Sequence, residues 1–89
     1  IVLVPTPPFP PETTINFELS EEAVVTLTIY DLTGQVVRTL VSGQFMTAGN
    51  YQSVWDGQNE VGVRVGSGVY LYRLNAGAFT AMKKMTLLQ

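Results

Sequence analysis

The sequence contains no cysteine and no histidine. Their absence excludes thiolate nucleophiles, disulfide bonds, haem ligation and triads that use imidazole as the base, and it removes the usual ligands of zinc. We therefore expect no cofactor, no metal site and no enzymatic activity. At 89 residues, the chain is long enough for one small domain and too short for a second core.

Charged residues are also scarce, at 13% of the chain, and the formal net charge is -2. The five basic residues form no cluster beyond Lys83 and Lys84, so the sequence lacks the positive patch that binds nucleic acid or an anionic membrane. Gly, Pro and Thr interrupt every apolar stretch before it reaches the length of a membrane span. We predict protein partners, no nucleic acid and no insertion into a membrane.

Proline occurs only near the start, where all five prolines lie between Pro5 and Pro11. Such a run favours an extended polyproline conformation. It predicts an apolar and Pro-rich extended arm or linker over residues 1–11, followed by one folded domain over residues 12–89. The chain opens with Ile1 and has no basic region followed by a long apolar stretch, so we expect either a removed targeting peptide or a fragment.

The eight glycines punctuate short segments rich in Val, Ile, Thr and Tyr, which is typical of an all-β sandwich. Residues 13–19 alternate strictly, with Ile15, Phe17 and Leu19 on one face. Further strands are predicted over residues 24–30, 36–41, 51–55, 69–74 and 79–88, with a candidate short strand at 63–65. Turns are predicted at 31–34, where Asp31 bonds downstream amides, and at 75–77.

The stretch from Asp56 to Gly62 has the oxygen density of a calcium loop but lacks the alternating acidic ligands and the final Glu of an EF-hand. We therefore favour a turn in which Asp56 and Asn59 accept hydrogen bonds from backbone amides. Carboxylate pairs such as Glu21 with Glu22, or Asp56 with Glu60, have the groups needed for acid–base catalysis. A sandwich this small seldom encloses a pocket, so solvated turn carboxylates are the better interpretation.

Trp55, Tyr70 and Tyr72 have the ring surfaces that bind sugars, although such aromatics more often pack in a core or across strands. The stretch around Ser67 resembles a phosphate cradle only superficially, because no helix is predicted to follow it.

The first four residues, Ile1, Val2, Leu3 and Val4, are an apolar, β-prone segment separated from the domain by the prolines. Two interpretations of this segment are consistent with the sequence. The segment is either the last strand of a preceding domain or a strand that adds to the sheet edge of a neighbouring subunit.

Four motifs occur in order along the chain: residues 12–15 (ETTI), 29–37 (IYDLTGQVV), 54–57 (VWDG) and 67–74 (SGVYLYRL). Together they resemble the immunoglobulin-like domain of flagellar hook-capping proteins of the FlgD type. They are also similar to the C-terminal sorting domains of the type IX secretion system, which end large secreted proteins of Bacteroidetes in a lysine-bearing strand. The resemblance covers nearly the whole chain from Thr6 onward, although residues 6–11 lack both asparagines of the usual Pro-Asn-Pro-Phe-Asn-Pro start.

This resemblance implies an immunoglobulin-like β-sandwich of about seven short antiparallel strands. It also implies that Gly68, Tyr70 and Lys84 match recurring positions of sorting domains, and that Trp55, Asp56 and Gly57 match a structural signature turn. The location expected from it is extracellular or on the bacterial cell surface.

Three candidate functions follow from these observations. The first is a non-catalytic extracellular module for secretion sorting, surface anchoring or assembly, whose partners are the corresponding machinery. The second is a structural subunit of a cell-surface filament that polymerises with copies of itself by N-terminal strand addition. The third is a carbohydrate-binding accessory module that uses Trp55, Tyr70 and Tyr72.

Overall fold

The computed structural model describes residues 2–3 and 12–88. These residues form two antiparallel sheets, which confirms the predicted all-β sandwich. The narrower sheet has the order β1-β2-β5, and the wider one has the order β4-β3-β6-β7. The strands are β1 (Val2–Leu3), β2 (Thr13–Leu19), β3 (Ala23–Tyr30), β4 (Val36–Met46), β5 (Gly49–Trp55), β6 (Gly68–Ala76) and β7 (Phe79–Leu87).

Strands β2 and β3 form where apolar residues alternate with polar ones, so that one face of each strand is buried. Ile15 and Leu19 of β2 face the core, with Phe17 packed against it. In β3, Val25 and Leu27 are completely buried. The alternation read from the sequence therefore predicted both strands and their inner faces correctly.

Strands β4 and β5 extend beyond the predicted limits, because the expected loop around Gly43 belongs to β4. The pairing of β3 with β4 contains register shifts, the marks of β-bulges. The Gly43 amide donates a hydrogen bond to Oγ1 of Thr26 at 3.1 Å, which holds the irregular stretch in the sheet. The two strands are then joined by residues 47–48 alone.

The hairpin between β6 and β7 closes through Gly77 and Ala78, with Ala76 paired to Phe79. Gly77 has a φ of +62° and no non-glycine residue has a positive φ among those described, which is the pattern of a type II′ turn. The turn predicted at 75–77 is confirmed with a shift of one residue.

The core lies between the two sheets, with Trp55 the largest completely buried side chain among the described residues. Every strand from β2 to β7 contributes to it, so the core is shared by both sheets. Its buried members are Ile15, Leu19, Val25, Leu27, Ile29, Val37, Trp55, Tyr70, Tyr72, Leu74, Ala76, Met85 and Leu87.

The candidate strand at 63–65 is wrong. That region makes a single bridge, between Gln58 and Arg64, inside the long connection from β5 to β6. Residues there hydrogen-bond within the loop, for example the Val65 amide to the carbonyl of Gly57 at 3.0 Å, and so form no ladder. No helix that is long and apolar enough to cross a membrane occurs in residues 2–3 or 12–88.

Candidate functional site

The turn after β5 begins at Trp55, whose indole Nε1 donates a hydrogen bond to the carbonyl of Gln58 at 2.9 Å. Oδ1 of Asp56 accepts the Gln58 amide at 3.1 Å. Between them Gly57 is buried and has a φ of +79°, a conformation that favours glycine. These three residues therefore build the turn that satisfies the polar edge of a buried indole.

The rest of this loop is organised by Asn59. Its Oδ1 accepts hydrogen bonds from the amides of Val61 at 3.1 Å and Val63 at 3.0 Å. The side-chain oxygens of Asp56 and Asn59 are thus directed at backbone amides, which confirms the turn interpretation of this oxygen-rich stretch.

Arg38 of β4 holds the loop against the wider sheet. Its Nη1 lies 3.4 Å from Oδ1 of Asp56, and its Nε lies 3.5 Å from Oε1 of Glu60. The same Glu60 oxygen accepts the Thr39 amide at 2.8 Å. Asp56 and Glu60, which the sequence analysis preferred to interpret as turn carboxylates rather than an acid–base pair, therefore both contact one guanidinium.

The role of Arg38 was not predicted from the sequence. The available signal was its isolation, because it is the only charged residue between Asp31 and Asp56. A lone charge inside a predicted strand needs a partner from elsewhere in the chain. The partner comes from the loop that follows β5, and the sequence gives no sign of that proximity.

The aromatic residues proposed to bind sugar are buried. Trp55 is 0% exposed, Tyr70 is 9% exposed and Tyr72 is 5% exposed. The Trp55 and Tyr70 rings meet edge to face with centroids 5.2 Å apart. A sugar stacks only on an accessible ring face, so the sugar-binding interpretation of these residues is wrong: their rings complete the core instead.

The three residues that the resemblance matches to recurring positions of sorting domains lie together on the β6–β7 hairpin but in different environments. Gly68 starts β6 with a φ of +153°. The Tyr70 hydroxyl donates a hydrogen bond to the Gly66 carbonyl at 2.6 Å, and burial raises the pKa of this phenol, with the charge of Asp31 adding to the effect. Lys84 is exposed on β7, opposite Leu71. Of the three, Lys84 is the one available to a partner.

The turn between β3 and β4 is closed by Asp31, as predicted. Its Oδ1 accepts the amides of Thr33 at 2.9 Å and Gln35 at 3.0 Å, and it also accepts the Thr33 hydroxyl. The Thr33 hydroxyl is the main cause that lowers the pKa of Asp31 below its ordinary 3.8, and the backbone amides add to it.

The N-terminal segment has a place in the chain's own sheet. Val2–Leu3 forms β1, which pairs antiparallel with β2 through Val2 with Ile15 and Leu3 with Thr14. Neither of the two interpretations drawn from the sequence included this intramolecular pairing. Ile1, Val4 and the rest of the Pro-rich arm lie outside the described residues, and the role of the segment as a subunit contact stays a prediction.

Glu21 and Glu22 lie beside an open cavity of about 540 Å³ that also includes Leu19 and Phe79. This cavity is open to the surface and does not enclose the pair. Both residues are exposed, as expected for carboxylates in a surface turn.

Comparisons with known proteins agree with the fold of two antiparallel sheets described above. The family model of the FlgD Ig-like domain matches residues 9–78. The chain is similar to the crystal structure of FlgD from P. aeruginosa, with a TM-score of 0.66 and 21% identity over 84% of this chain and 58% of that chain. It is also similar to dimeric latent PorU from Porphyromonas gingivalis, with a TM-score of 0.66 and 26% identity over 98% of this chain and 9% of that chain. The chain spans less than two thirds of the length of either of these two solved chains. No curated protein sequence matches it.

Proposed function

Because the chain belongs to the FlgD Ig-like domain family, we propose that it is a non-catalytic module that contacts protein partners in secretion sorting, surface anchoring or assembly. The solved relatives support this proposal, since the fold recurs in FlgD and as 9% of the much longer PorU chain. A small domain embedded in a larger protein acts through its surface when its interior is filled by its own core.

The observation that carries the proposal is the difference in exposure among the three residues matched to recurring positions of sorting domains. Gly68 and Tyr70 serve the backbone and core, whereas Lys84 is exposed. It lies on β7, an edge strand of the wider sheet, where a partner has access to both side chains and backbone. The resemblance of the sequence motifs to type IX sorting domains makes secretion machinery the proposed partner and the bacterial surface the proposed location.

The test attaches this chain to the C-terminus of a folded reporter protein in a bacterium that has type IX secretion. We expect the reporter to reach the cell surface or medium, measured by its accessibility to antibody on intact cells. The matched control carries the reporter with the unrelated C-terminus of a cytoplasmic protein. A reporter that stays inside the cell with both C-termini would overturn the sorting function.

A second candidate function is a filament subunit that polymerises by exchange of β1. The observation in its favour is that β1 contributes two residues at the edge of the narrower sheet, so a small pairing holds it in place. A Pro-rich stretch separates it from β2, which suits an arm that reaches another copy. Electron microscopy of the full chain and of a chain lacking residues 1–11 tests this candidate. Filaments that vanish on truncation support it, and dispersed monomers in both samples contradict it.

A further inference from the structure

The two sheets differ in width, and a groove opens where the narrower sheet ends. Its floor is the inner face of β7. Met85 and Leu87 are buried at one end of this face. By the two-residue period of a strand, Ala81 and Lys83 share the same face, and both line the groove. Phe79, at the far end, is 59% exposed. The wider sheet therefore presents apolar surface that the narrower sheet does not cover.

The wall of the groove is the edge of β2. Asn16, Phe17 and Glu18 all line it. Consecutive strand residues point to opposite faces, so three in a row reach one cavity only where that cavity meets the strand's edge. Within residues 2–3 and 12–88, this edge of β2 is paired opposite Thr14 and Ile15 by β1, and no described strand pairs with it over residues 16–19.

The register of β1 shows how a further strand would fit. Val2 lies opposite Ile15 and Leu3 opposite Thr14, so a strand placed end to end with β1 in this antiparallel register has its residues opposite residues 17–19 of β2. Residues opposite Phe17 and Leu19 would share the inward face and enter the groove, whereas the residue opposite Glu18 would face outward. Such a strand alternates apolar, outward and apolar positions.

The size and charge of the site indicate the chemistry of that strand. The groove itself has a volume of about 180 Å³, a size that suits amino-acid side chains. It shares Glu18 and Phe79 with the cavity of about 540 Å³ that Glu21 and Glu22 also line. Lys83 also lines the groove, but the three carboxylates at this end of the edge outnumber it and favour a basic residue opposite Glu18 on the incoming strand.

We propose that the edge of β2 over residues 17–19, with the groove beside it, binds an extended strand from a partner protein. That strand runs antiparallel to β2 and places small apolar residues opposite Phe17 and Leu19, with Lys or Arg opposite Glu18. Backbone hydrogen bonds supply affinity, and the groove and the carboxylates supply specificity. This inference rests on the proposed function, since it names one partner surface of a module that contacts proteins.

The test titrates the isotopically labelled full chain with the peptide acetyl-Lys-Val-Lys-Val-Thr-amide and follows amide shifts by NMR. We expect saturable shifts at residues 16–19 and 79–83. The peptide with Glu in place of the central Lys should bind between about twofold and tenfold more weakly, because like charges then face each other across the strands. Absence of saturable shifts, or shifts confined to β4 or β5, would overturn the proposal.

A pair of variants separates the groove from the rest of β7. Ala81→Trp fills the groove and should weaken peptide binding about tenfold or more, since a close-packed site has no room for both indole and valine. Met82→Trp places the same side chain on the opposite face, where Met82 is 52% exposed, and should leave binding unchanged. Equal peptide binding by both variants would contradict the assignment of the groove as the binding site. Amide spectra of the unbound variants confirm that each is folded.

Two further outcomes are decisive. If concentrating the chain alone shifts the same residues as the peptide does, the occupant is a second copy and the assignment to a different partner is wrong. The secretion assay keeps the two proposals apart. A retained reporter with normal peptide binding contradicts only the sorting function, whereas a secreted reporter without peptide binding contradicts only the strand-binding edge.

Discussion

At the residue scale, Trp55 joins the core to the turn that follows β5. Its ring packs edge to face on Tyr70, and its Nε1 is satisfied by the Gln58 carbonyl. We expect Trp55→Ala to reduce the free energy of unfolding by about 3 to 5 kcal/mol, because a large cavity forms in a close-packed interior. Urea denaturation measures this loss. Val61→Ala is the control, since Val61 is 81% exposed and its truncation should change stability by less than about 0.5 kcal/mol.

Asp31 gives the fold a dependence on acid. Its pKa is lowered in the folded state, so its charge stabilises the fold at pH above the ordinary value of 3.8. That contribution is lost as the pH falls through the lowered pKa. Asp31→Asn should therefore be less stable than the native chain at neutral pH, and the difference should shrink in acid. Urea denaturation across this range checks it, and a difference that is constant with pH would contradict it.

At the scale of elements, the backbone conformation of Gly68 gives this residue a structural role at the start of β6. Its φ of +153° lies where side chains are strained, although a Cβ there would meet no atom within 4 Å. Gly68→Ala should cost about 1 to 3 kcal/mol through backbone strain alone. Gly66→Ala is the matched control, because Gly66 has equally open space without the unusual φ. Thermal denaturation that finds equal losses for both variants would disprove the backbone explanation.

Strands β2 and β3 were predictable, because a strand with one buried face has apolar and polar residues at alternate positions. The extent of β4 was not predictable, since the bulges opposite β3 depend on how the partner strand pairs. The contacts of Arg38 and the open edge of β2 were hidden for the same reason. Each depends on contacts between segments that are far apart in the sequence. The sequence of a single strand does not show that the two sheets differ in width.

At the scale of the whole molecule, a filled core leaves the outer strands as the surfaces that reach other proteins. The outward side of β7 carries Lys84, and its inward side carries Lys83 in the groove. Side chains on opposite faces of one strand meet different partners. Under the proposed sorting function, we therefore expect the secretion machinery to recognise the face that bears Lys84.

The proposed sorting function is best tested by measuring the surface fraction of the fused reporter for the variants Lys84→Glu and Lys83→Glu. Both variants change the net charge equally on one strand, so they differ only in the face that is altered. We expect Lys84→Glu to lower the surface fraction several-fold and Lys83→Glu to leave it near that of the native chain. Equal secretion of both variants, or a loss with Lys83→Glu alone, would contradict this proposal.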